Sequence, residues 1–247
     1  MISVESLHRV DHFWASQLAI TPDRLYSQKL LVLANADTRD SSCRVFQHHT
    51  FTCVHVPQTH SERLHQTIGR QDRAHLLAPA WWQQALGTPH QEVIGPAYLG
   101  YADAQQFRPL TRHPTRLLTP SDSAALAAFA TTVGPRAWEH SGLGEGSQPI
   151  AGCWQGERLV AAAGYRVWGA ALAHIGVTTD PAVRGSGYGT SVVSAIGKHA
   201  LENQYVLQYR TLHVNQPSMA IAAALGFQAY ATTLVIRLGA SCRKPAP

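Results

Sequence analysis

The stretch Val177-Thr-Thr-Asp-Pro-Ala-Val-Arg184-Gly185-Ser-Gly187-Tyr-Gly189 decides the fold of this chain. Its β-branched start predicts a strand, and its end predicts a basic, glycine-rich turn that leads directly into a helix. Glycines at three alternate positions leave no Cβ atoms between the backbone and a ligand. The helix that follows directs its free N–H groups and its positive dipole end at the turn, and Arg184 adds a permanent cation. The stretch therefore predicts a site for a diphosphate or a similar anion.

Two common phosphate-binding loops do not fit this stretch. The loop of nucleoside triphosphatases ends in Gly-Lys-Ser/Thr, whereas Gly189 is followed by Thr190 and Ser191. A dinucleotide fingerprint needs a third glycine at position 190 and an acidic residue about 20 residues further on, and Glu202 lies nearer than that, inside the predicted helix. Two interpretations remain: an Arg-Gly-x-Gly-x-Gly loop after a Val-Thr strand end, or a tight strand–helix connection without a ligand.

The segments after the loop favour the ligand-binding interpretation. The predicted helix is followed by a strand from Val206 to Val214, then by Asn215, an apolar helix and Leu225-Gly226-Phe227. From about Leu117 to Leu238, this order resembles the GNAT superfamily of N-acetyltransferases. The resemblance implies an acyl-CoA-dependent N-acyltransferase that transfers acetyl from acetyl-CoA to a primary amine, on a small molecule or a peptide, by direct transfer in a ternary complex. The alternative is a non-catalytic, acyl-CoA-binding GNAT-like protein with a regulatory or scaffold role.

The resemblance also implies the fold class and the domain organisation. We expect an α/β (α+β) fold, with a GNAT-like mixed, mostly antiparallel central sheet flanked by helices. Residues 117–240 are predicted to form the N-acetyltransferase domain. Residues 1–110 are predicted to form a smaller accessory α/β domain, with a degenerate copy of the GNAT fold as one hypothesis. Between them, Phe107 to Arg116 contains two prolines and four basic residues and predicts a connecting segment or an extended strand.

The resemblance implies acetyl-CoA as the cosubstrate, and it also implies which residues of this chain would bind acetyl-CoA. Val177 and Thr178 would offer backbone groups to the pantetheine arm, and Asn215 would hydrogen-bond the arm from the next strand. Ser218 would contact the cosubstrate or only cap its own helix. The residues expected around the diphosphate are Arg184, Gly185, Ser186, Gly187, Tyr188, Gly189 and Thr190.

The catalytic groups are less sharply defined. Many superfamily members carry a general-acid tyrosine seven residues after the asparagine, and this chain has Ala222 there. The thiolate would then be protonated by another group or by water, since a thiol pKa is only about 8.5. The predicted catalytic residues are His174 in the strand before the loop, Glu139 in a short helix, and His213 before Asn215, with His140 as a neighbouring candidate base. Histidine titrates in the range that this chemistry needs, and these groups would suit a cationic amine.

Composition excludes several other classes. The chain has 247 residues, of which 45% are hydrophobic and 14% charged, which is typical of a globular protein. No run approaches the ~18 apolar residues of a membrane span, and the net charge of +5 comes from dispersed residues, which argues against a nucleic-acid partner. We expect no metal, because the histidines and cysteines lack zinc spacing. The chain is expected to be cytoplasmic, as a monomer or homodimer, with four free thiols at Cys43, Cys53, Cys153 and Cys242.

Overall fold

The computed structural model describes residues 2–27, 29–37, 39–69, 71–87, 90–144 and 147–238, and within these residues the chain forms seven α-helices and ten strands. The helices are α1 (Val4–Leu18), α2 (Ser61–Ile68), α3 (Pro79–Leu86), α4 (Ser123–Val133), α5 (Pro135–Ser141), α6 (Tyr188–Glu202) and α7 (Gln216–Ala224). The strands are β1 (Leu30–Ala34), β2 (Ser42–His48), β3 (Phe51–Val56), β4 (His90–Ala102), β5 (Thr115–Leu117), β6 (Ile150–Gln155), β7 (Arg158–Trp168), β8 (Leu172–Thr179), β9 (Val206–Leu212) and β10 (Gln228–Leu238).

The chain divides into two compact units that are not consecutive in sequence. Unit 1 consists of Met1–Phe13, Gly100–Thr211 and Asn215–Ala229. Unit 2 consists of Trp14–Leu99, Leu212–Val214 and Tyr230–Pro247.

Unit 1 contains the glycine-rich stretch. Its strands lie in the order β5-β6-β7-β8-β9, followed by the end of β4. The pairs β5–β6, β6–β7 and β7–β8 are antiparallel, and β8–β9 is parallel. Helix α6 packs on this sheet through one fully buried face, because apolar residues recur at the 3.6-residue spacing of a helix. Its members are Val192, Val193, Ile196 and Ala200.

Unit 2 is a second sheet segment with its own core. Its strands lie in the order β1-β3-β2-β10-β4, with β1–β3 parallel and both β2–β3 and β2–β10 antiparallel. Helices α2 and α3 cover it and bury Leu64, Trp82 and Leu86 against strand residues such as Val54 and Leu234. The predicted fold class, a mixed and mostly antiparallel sheet flanked by helices, is confirmed.

The boundaries of the units differ from the predicted domains 1–110 and 117–240. Most of α1 belongs to unit 1, where the ring of Phe13 stacks on Trp168 at 6.2 Å. Most of β10 belongs to unit 2, where it pairs with β2. Sequence order could not predict this exchange, because strand pairing joins segments that are far apart in the chain. Residues 239 and 240 of the predicted second domain lie outside the described residues.

The described cysteines, Cys43, Cys53 and Cys153, are free and buried, and Cys242 lies outside the described residues. Burial raises the pKa of the Cys43 and Cys53 thiols to about 12, with Asp40 adding to the effect at Cys43. Among the described residues, no group of His, Cys, Asp or Glu is placed to hold a metal ion. No helix in the described ranges has the length and apolar character needed to cross a membrane.

Candidate functional site

Strands β8 and β9 separate at the point where the glycine-rich stretch begins. Their parallel pairing runs from Leu172↔Val206 to Ile175↔Tyr209 and ends there. On its other side, β8 stays paired with β7 as far as Thr179. Within the described residues, the β9-facing backbone of Val177 to Thr179 therefore has no strand partner. We call this opening the β8–β9 gap.

The turn after β8 has the backbone of an anion-binding loop. Asp180 begins a short 3-10 helix by accepting a hydrogen bond from the backbone N–H of Ala182 (2.8 Å). Gly185 and Gly187 then adopt φ angles of 82° and 88°, a region that L side chains avoid. Gly187 is also the N-cap of α6, so the first N–H groups of that helix open onto the turn.

Gly189 is required for a different reason. It lies inside α6, and a Cβ there would be 3.0 Å from Thr179 Oγ1 and 3.2 Å from Ile221 Cδ1. The first turn of α6 therefore approaches both β8 and α7 closely. Three glycines with two distinct physical roles together form the base of the loop.

The predicted connecting segment between Phe107 and Arg116 is bound to the start of α6. The Ser191 hydroxyl accepts hydrogen bonds from the backbone N–H groups of Arg112 (3.0 Å) and His113 (3.1 Å) and donates to the Gly187 carbonyl (3.2 Å). Ser194 Oγ accepts from the Leu110 N–H at 2.9 Å. These bonds bring a second guanidinium, that of Arg112, to the glycine-rich turn.

His113 completes this contact. Its ring stacks on Tyr188 with centroids 3.8 Å apart and planes inclined by 13°. Its Nε2 donates to the carbonyl oxygen of Ser186 (2.7 Å). The sequence offered one signal for Arg112 and His113, the basic character of their segment, but nothing in it indicated that this segment lies on α6.

A cleft of about 560 Å³ lies between β8, the glycine-rich turn, α5 and α7. All the predicted cosubstrate residues except Ser186 line it. Ser186 instead directs its carbonyl at His113. Residues not predicted from the sequence also line the cleft, namely Leu110, Arg112, Ala137, Ser141, Thr179, Val183, Pro217, Ala220, Ile221 and Ala224.

Asn215 and Ser218 lie where β9 is followed by α7. Asn215 is the N-cap of α7, and its Oδ1 accepts from the Ser218 N–H at 3.3 Å. The capping role is therefore that of Asn215, which frees the Ser218 hydroxyl to bond the Tyr209 hydroxyl (2.9 Å). Burial raises the pKa of Tyr209 to about 12. Ala222 is buried and does not line the cleft.

The predicted catalytic residues are not brought together. Helix α5 lines the cleft with Ala137, His140 and Ser141, which share one face at i, i+3 and i+4, so Glu139 lies on another face and is exposed. His213 follows the end of β9 in a turn of unit 2, where its Nε2 and Thr232 Oγ1 are 3.2 Å apart. The strand was predicted to continue to Val214, but it ends at Leu212.

His174 lies outside the cleft because β9 still covers β8 at that position. Its Nδ1 is 2.6 Å from Gln208 Oε1, and its ring stacks on Trp168 at 4.1 Å. Burial lowers the pKa of His174 to about 4, against the opposing effect of the Gln208 hydrogen bond. The imidazole is therefore neutral at pH 7.

Residues 152–236 match the family described as FR47-like protein. This segment runs from β6 into β10, and the predicted resemblance to the GNAT superfamily is confirmed for it. No curated protein is detectably similar to the chain in sequence.

Several solved structures have a similar backbone. An acetyltransferase of the GNAT family from Colwellia psychrerythraea is 16% identical with a TM-score of 0.49, covering 65% of this chain and 62% of that one. A GCN5-related N-acetyltransferase from Kribbella flavida is 12% identical with a TM-score of 0.48, covering 64% of each chain. A tandem GNAT protein from the clavulanic acid biosynthesis pathway is 18% identical with a TM-score of 0.43, covering 74% and 69%. The chain thus spans less than two thirds of the first two structures, and likenesses this distant say nothing about activity.

Proposed function

We propose that this chain is an acetyl-CoA-dependent N-acetyltransferase that transfers acetyl to a primary amine within a ternary complex. The observation that carries the proposal is the glycine-rich turn at the cleft, where two left-handed glycines, a helix N-terminus and two arginines converge. Such a convergence of backbone N–H groups and guanidinium groups matches the charge and shape of a diphosphate.

The cleft fits the rest of acetyl-CoA as well. Beyond the last β8–β9 pair, the backbone of Val177 and Thr178 has N–H and C=O groups on the open side of β8, which can bond the amides of a pantetheine arm. Asn215 lines the opposite side of the same cleft. A backbone N–H of β8 at the gap would stabilise the negative charge that develops on the acetyl oxygen during transfer.

A hydroxyl pair takes the place of the absent α7 tyrosine. Ser218 lines the cleft, and its Oγ bonds Tyr209, whose raised pKa keeps the phenol protonated and able to donate. We assign protonation of the leaving thiolate to this pair. Tyr209→Phe should lower kcat by about 10-fold or more while the Kd for acetyl-CoA stays unchanged. Tyr205→Phe is the matched control, and equal kcat values in the two variants would refute the assignment.

His140 and His174 are the candidate bases that this proposal retains. His140 lines the cleft from α5, and neutral His174 lies on β8 before the gap. The acceptor amine must lose a proton before or during attack, and an imidazole in reach accelerates that step. The rate of acetyl transfer is measured for His140→Ala and for His174→Ala at saturating acetyl-CoA. The base is the histidine whose replacement lowers this rate more.

Calorimetric titration with acetyl-CoA tests the proposal directly. We expect saturable binding that Arg184→Glu weakens by about 10-fold or more, because a charge-assisted bond to the diphosphate becomes a repulsion. Lys198→Glu, an exposed change elsewhere on α6, should leave binding unchanged. Absence of binding in the wild-type chain would overturn the proposal.

Catalysis needs a second measurement, because Ala222 also fits a non-catalytic acyl-CoA-binding protein. The release of free thiol from acetyl-CoA is followed with a panel of primary amines. Amine-dependent acceleration is expected. Binding without acceleration by any amine would favour the regulatory or scaffold alternative.

A further inference from the structure

The sheet face opposite α6 carries a row of polar side chains next to the β8–β9 gap. Arg166 pairs with His174 across β7 and β8, and His174 pairs with Gln208 across β8 and β9. Residues that pair across neighbouring strands direct their side chains to the same face. The adjacent row, to which Tyr165 and Tyr209 belong, faces α6 and α7 instead.

Arg210 extends this row to the gap itself. It has the same side-chain direction as Gln208, two residues earlier, and it follows the last pair, Ile175↔Tyr209. Arg166 is the direct cross-strand partner of His174, and the charges of Arg166 and Arg210 both lower the pKa of His174. Two cations and a neutral imidazole therefore share one small area of unit 1.

The neutral groups in this area are satisfied by hydrogen bonds. Gln208 is fully buried, and its Oε1 accepts from His174 Nδ1 while its Nε2 donates to the Tyr101 hydroxyl. Because a carbonyl oxygen can only accept, the proton of His174 lies on Nδ1 and its Nε2 is left as an acceptor. Gln208 thereby fixes the tautomer of the histidine.

One of the two cations has an unsatisfied N–H group. Both side chains are half-buried, and Arg166 Nε is buried without a hydrogen-bond partner among the residues that the structure describes. Burial lowers the pKa of Arg210, against the opposing effect of Tyr101. Buried polar groups almost always have partners, and two cations close together repel each other. An anion bound between the two guanidinium groups would satisfy the unpaired N–H group and offset the repulsion.

We propose that Arg166 and Arg210 bind the carboxylate of the acceptor, so that the acceptor is an amino acid or a similar amine bearing a carboxylate. This inference rests on the proposed acetyl transfer and names its second substrate. A carboxylate presents two coplanar oxygens, which a guanidinium binds through two parallel N–H bonds.

The position of the row suits such an acceptor. His174 and Gly176 are two residues apart on one face of β8, roughly 7 Å along the strand. Gly176 lies at the gap, where the backbone of Ser141 at the end of α5 rests on it and leaves no room for a Cβ. Arg210 follows the last β8–β9 pair, so a small amine held there by its carboxylate has its amino group near the gap.

The test compares amines that differ only in the acidic group. Thiol release from acetyl-CoA is measured with two amino acids, glycine and phenylalanine, and with their amides, glycinamide and phenylalaninamide. O-Phosphoethanolamine is the third kind of amine, in which a phosphate replaces the carboxylate. We expect the two amino acids to have at least about 10-fold higher kcat/KM than their amides, the discrimination typical of a charged hydrogen bond. Equal use of acids and amides, or preference for O-phosphoethanolamine, would overturn the carboxylate assignment.

Two variants locate the effect. Arg166→Met and Arg210→Met should each raise KM for the amino acids on the order of 10- to 100-fold, with KM for the amides and Kd for acetyl-CoA unchanged. Lys198→Met is the control and should alter none of these values. Retention of the wild-type preference for acids in both arginine variants would overturn the proposal.

Thermal unfolding of each variant shows whether a change in KM comes from a loss of folding. Without substrate, Arg166→Met should unfold at the same temperature as the wild type or higher, because a half-buried cation with an unpaired, buried Nε is replaced by an apolar side chain. A large loss of stability would mean that Arg166 has a partner within the fold and would contradict the proposal. If acetyl-CoA does not bind at all, the proposed acetyl transfer fails; if it binds and acids are not preferred, only the acceptor assignment fails.

Discussion

At the scale of single residues, identical amino acids have different roles in the cleft. Gly185 and Gly187 supply positive φ angles, whereas Gly189 makes room for the close contact of α6 with β8 and α7. His140 on α5 lines the cleft, whereas His174 on β8 is held outside the cleft by Gln208 and Trp168. Residue type alone therefore does not assign function here.

Gly185 allows backbone strain to be separated from ligand contact. Its φ is 82° and a Cβ there would meet nothing within 4 Å, which is also true of Gly156, with φ 61°, in the β6–β7 turn. Gly185→Ala and Gly156→Ala should each cost about 1–2 kcal/mol of unfolding free energy. Only Gly185→Ala should weaken acetyl-CoA binding in calorimetry. Similar Kd values for the two variants would contradict the role of this turn.

At the scale of elements, the start of α6 is stabilised by hydrogen bonds to the segment that precedes β5. Ser191 is fully buried and joins the N–H groups of Arg112 and His113 to the Gly187 carbonyl. Ser191→Ala should cost about 1–3 kcal/mol, because two backbone donors lose their acceptor. Acetyl-CoA affinity should fall with it, since Arg112 is no longer held at the turn.

Chemical denaturation and calorimetry on one Ser191→Ala sample measure both effects. Thr131→Ala, which removes an exposed hydroxyl bond within α4, is the control and should change neither value by much. Unchanged acetyl-CoA affinity in Ser191→Ala would show that Arg112 does not contribute to binding.

The start of α4 should make stability depend on acid pH. Hydrogen bonds from Arg116 (2.6 Å) and from the Thr119 N–H (2.8 Å) hold the pKa of Asp122 well below its ordinary value. Because the folded pKa is the lower one, this stabilisation is complete above the unfolded pKa of about 4 and is lost as pH falls toward the folded value.

Melting temperatures measured between pH 7 and pH 3 test this dependence. Asp122→Asn should melt lower than the wild type at pH 7 and should lose less as the pH falls. Glu157→Gln, at an exposed turn position, should follow the wild-type curve. A parallel decline of Asp122→Asn and wild type would contradict the role of this carboxylate.

At the scale of the whole molecule, each unit is assembled from separate segments. Residues 117–238 contain the match to the FR47-like family and the glycine-rich turn. They lack Phe107, whose ring packs on α6 at Gly197, and Tyr101, which bonds Gln208. They also expose β10, which pairs with β2 in the full chain.

A fragment of residues 117–238 should therefore not fold on its own. We expect it to unfold without a cooperative transition in circular dichroism and to aggregate, because an unpaired strand edge attracts other chains. The full chain, measured in parallel, should show a cooperative transition. A fragment that melts cooperatively and binds acetyl-CoA like the full chain would show that the GNAT-related domain is independent.

The local parts of the site could be read from consecutive residues. The order of strand, glycine-rich turn and helix depends on neighbours in the chain, so the residue pattern indicates it. The buried face of α6 follows from its helical spacing for the same reason. The cap of α7 is an exception, because the residue pattern offered Ser218 for it and the N-cap is Asn215.

Other features depend on which distant segments meet. Strand register brings Arg166 and Gln208 to His174, and a hydrogen bond to the Ser191 hydroxyl attaches Arg112 to α6. The end of β9 at Leu212 separates His213 from its strand. A shift of one residue in register would turn each strand side chain to the other face, and no local pattern carries that information. Short-range backbone preferences therefore specify the anion-binding turn, whereas the long-range packing of strands and helices decides which charges and bases surround it.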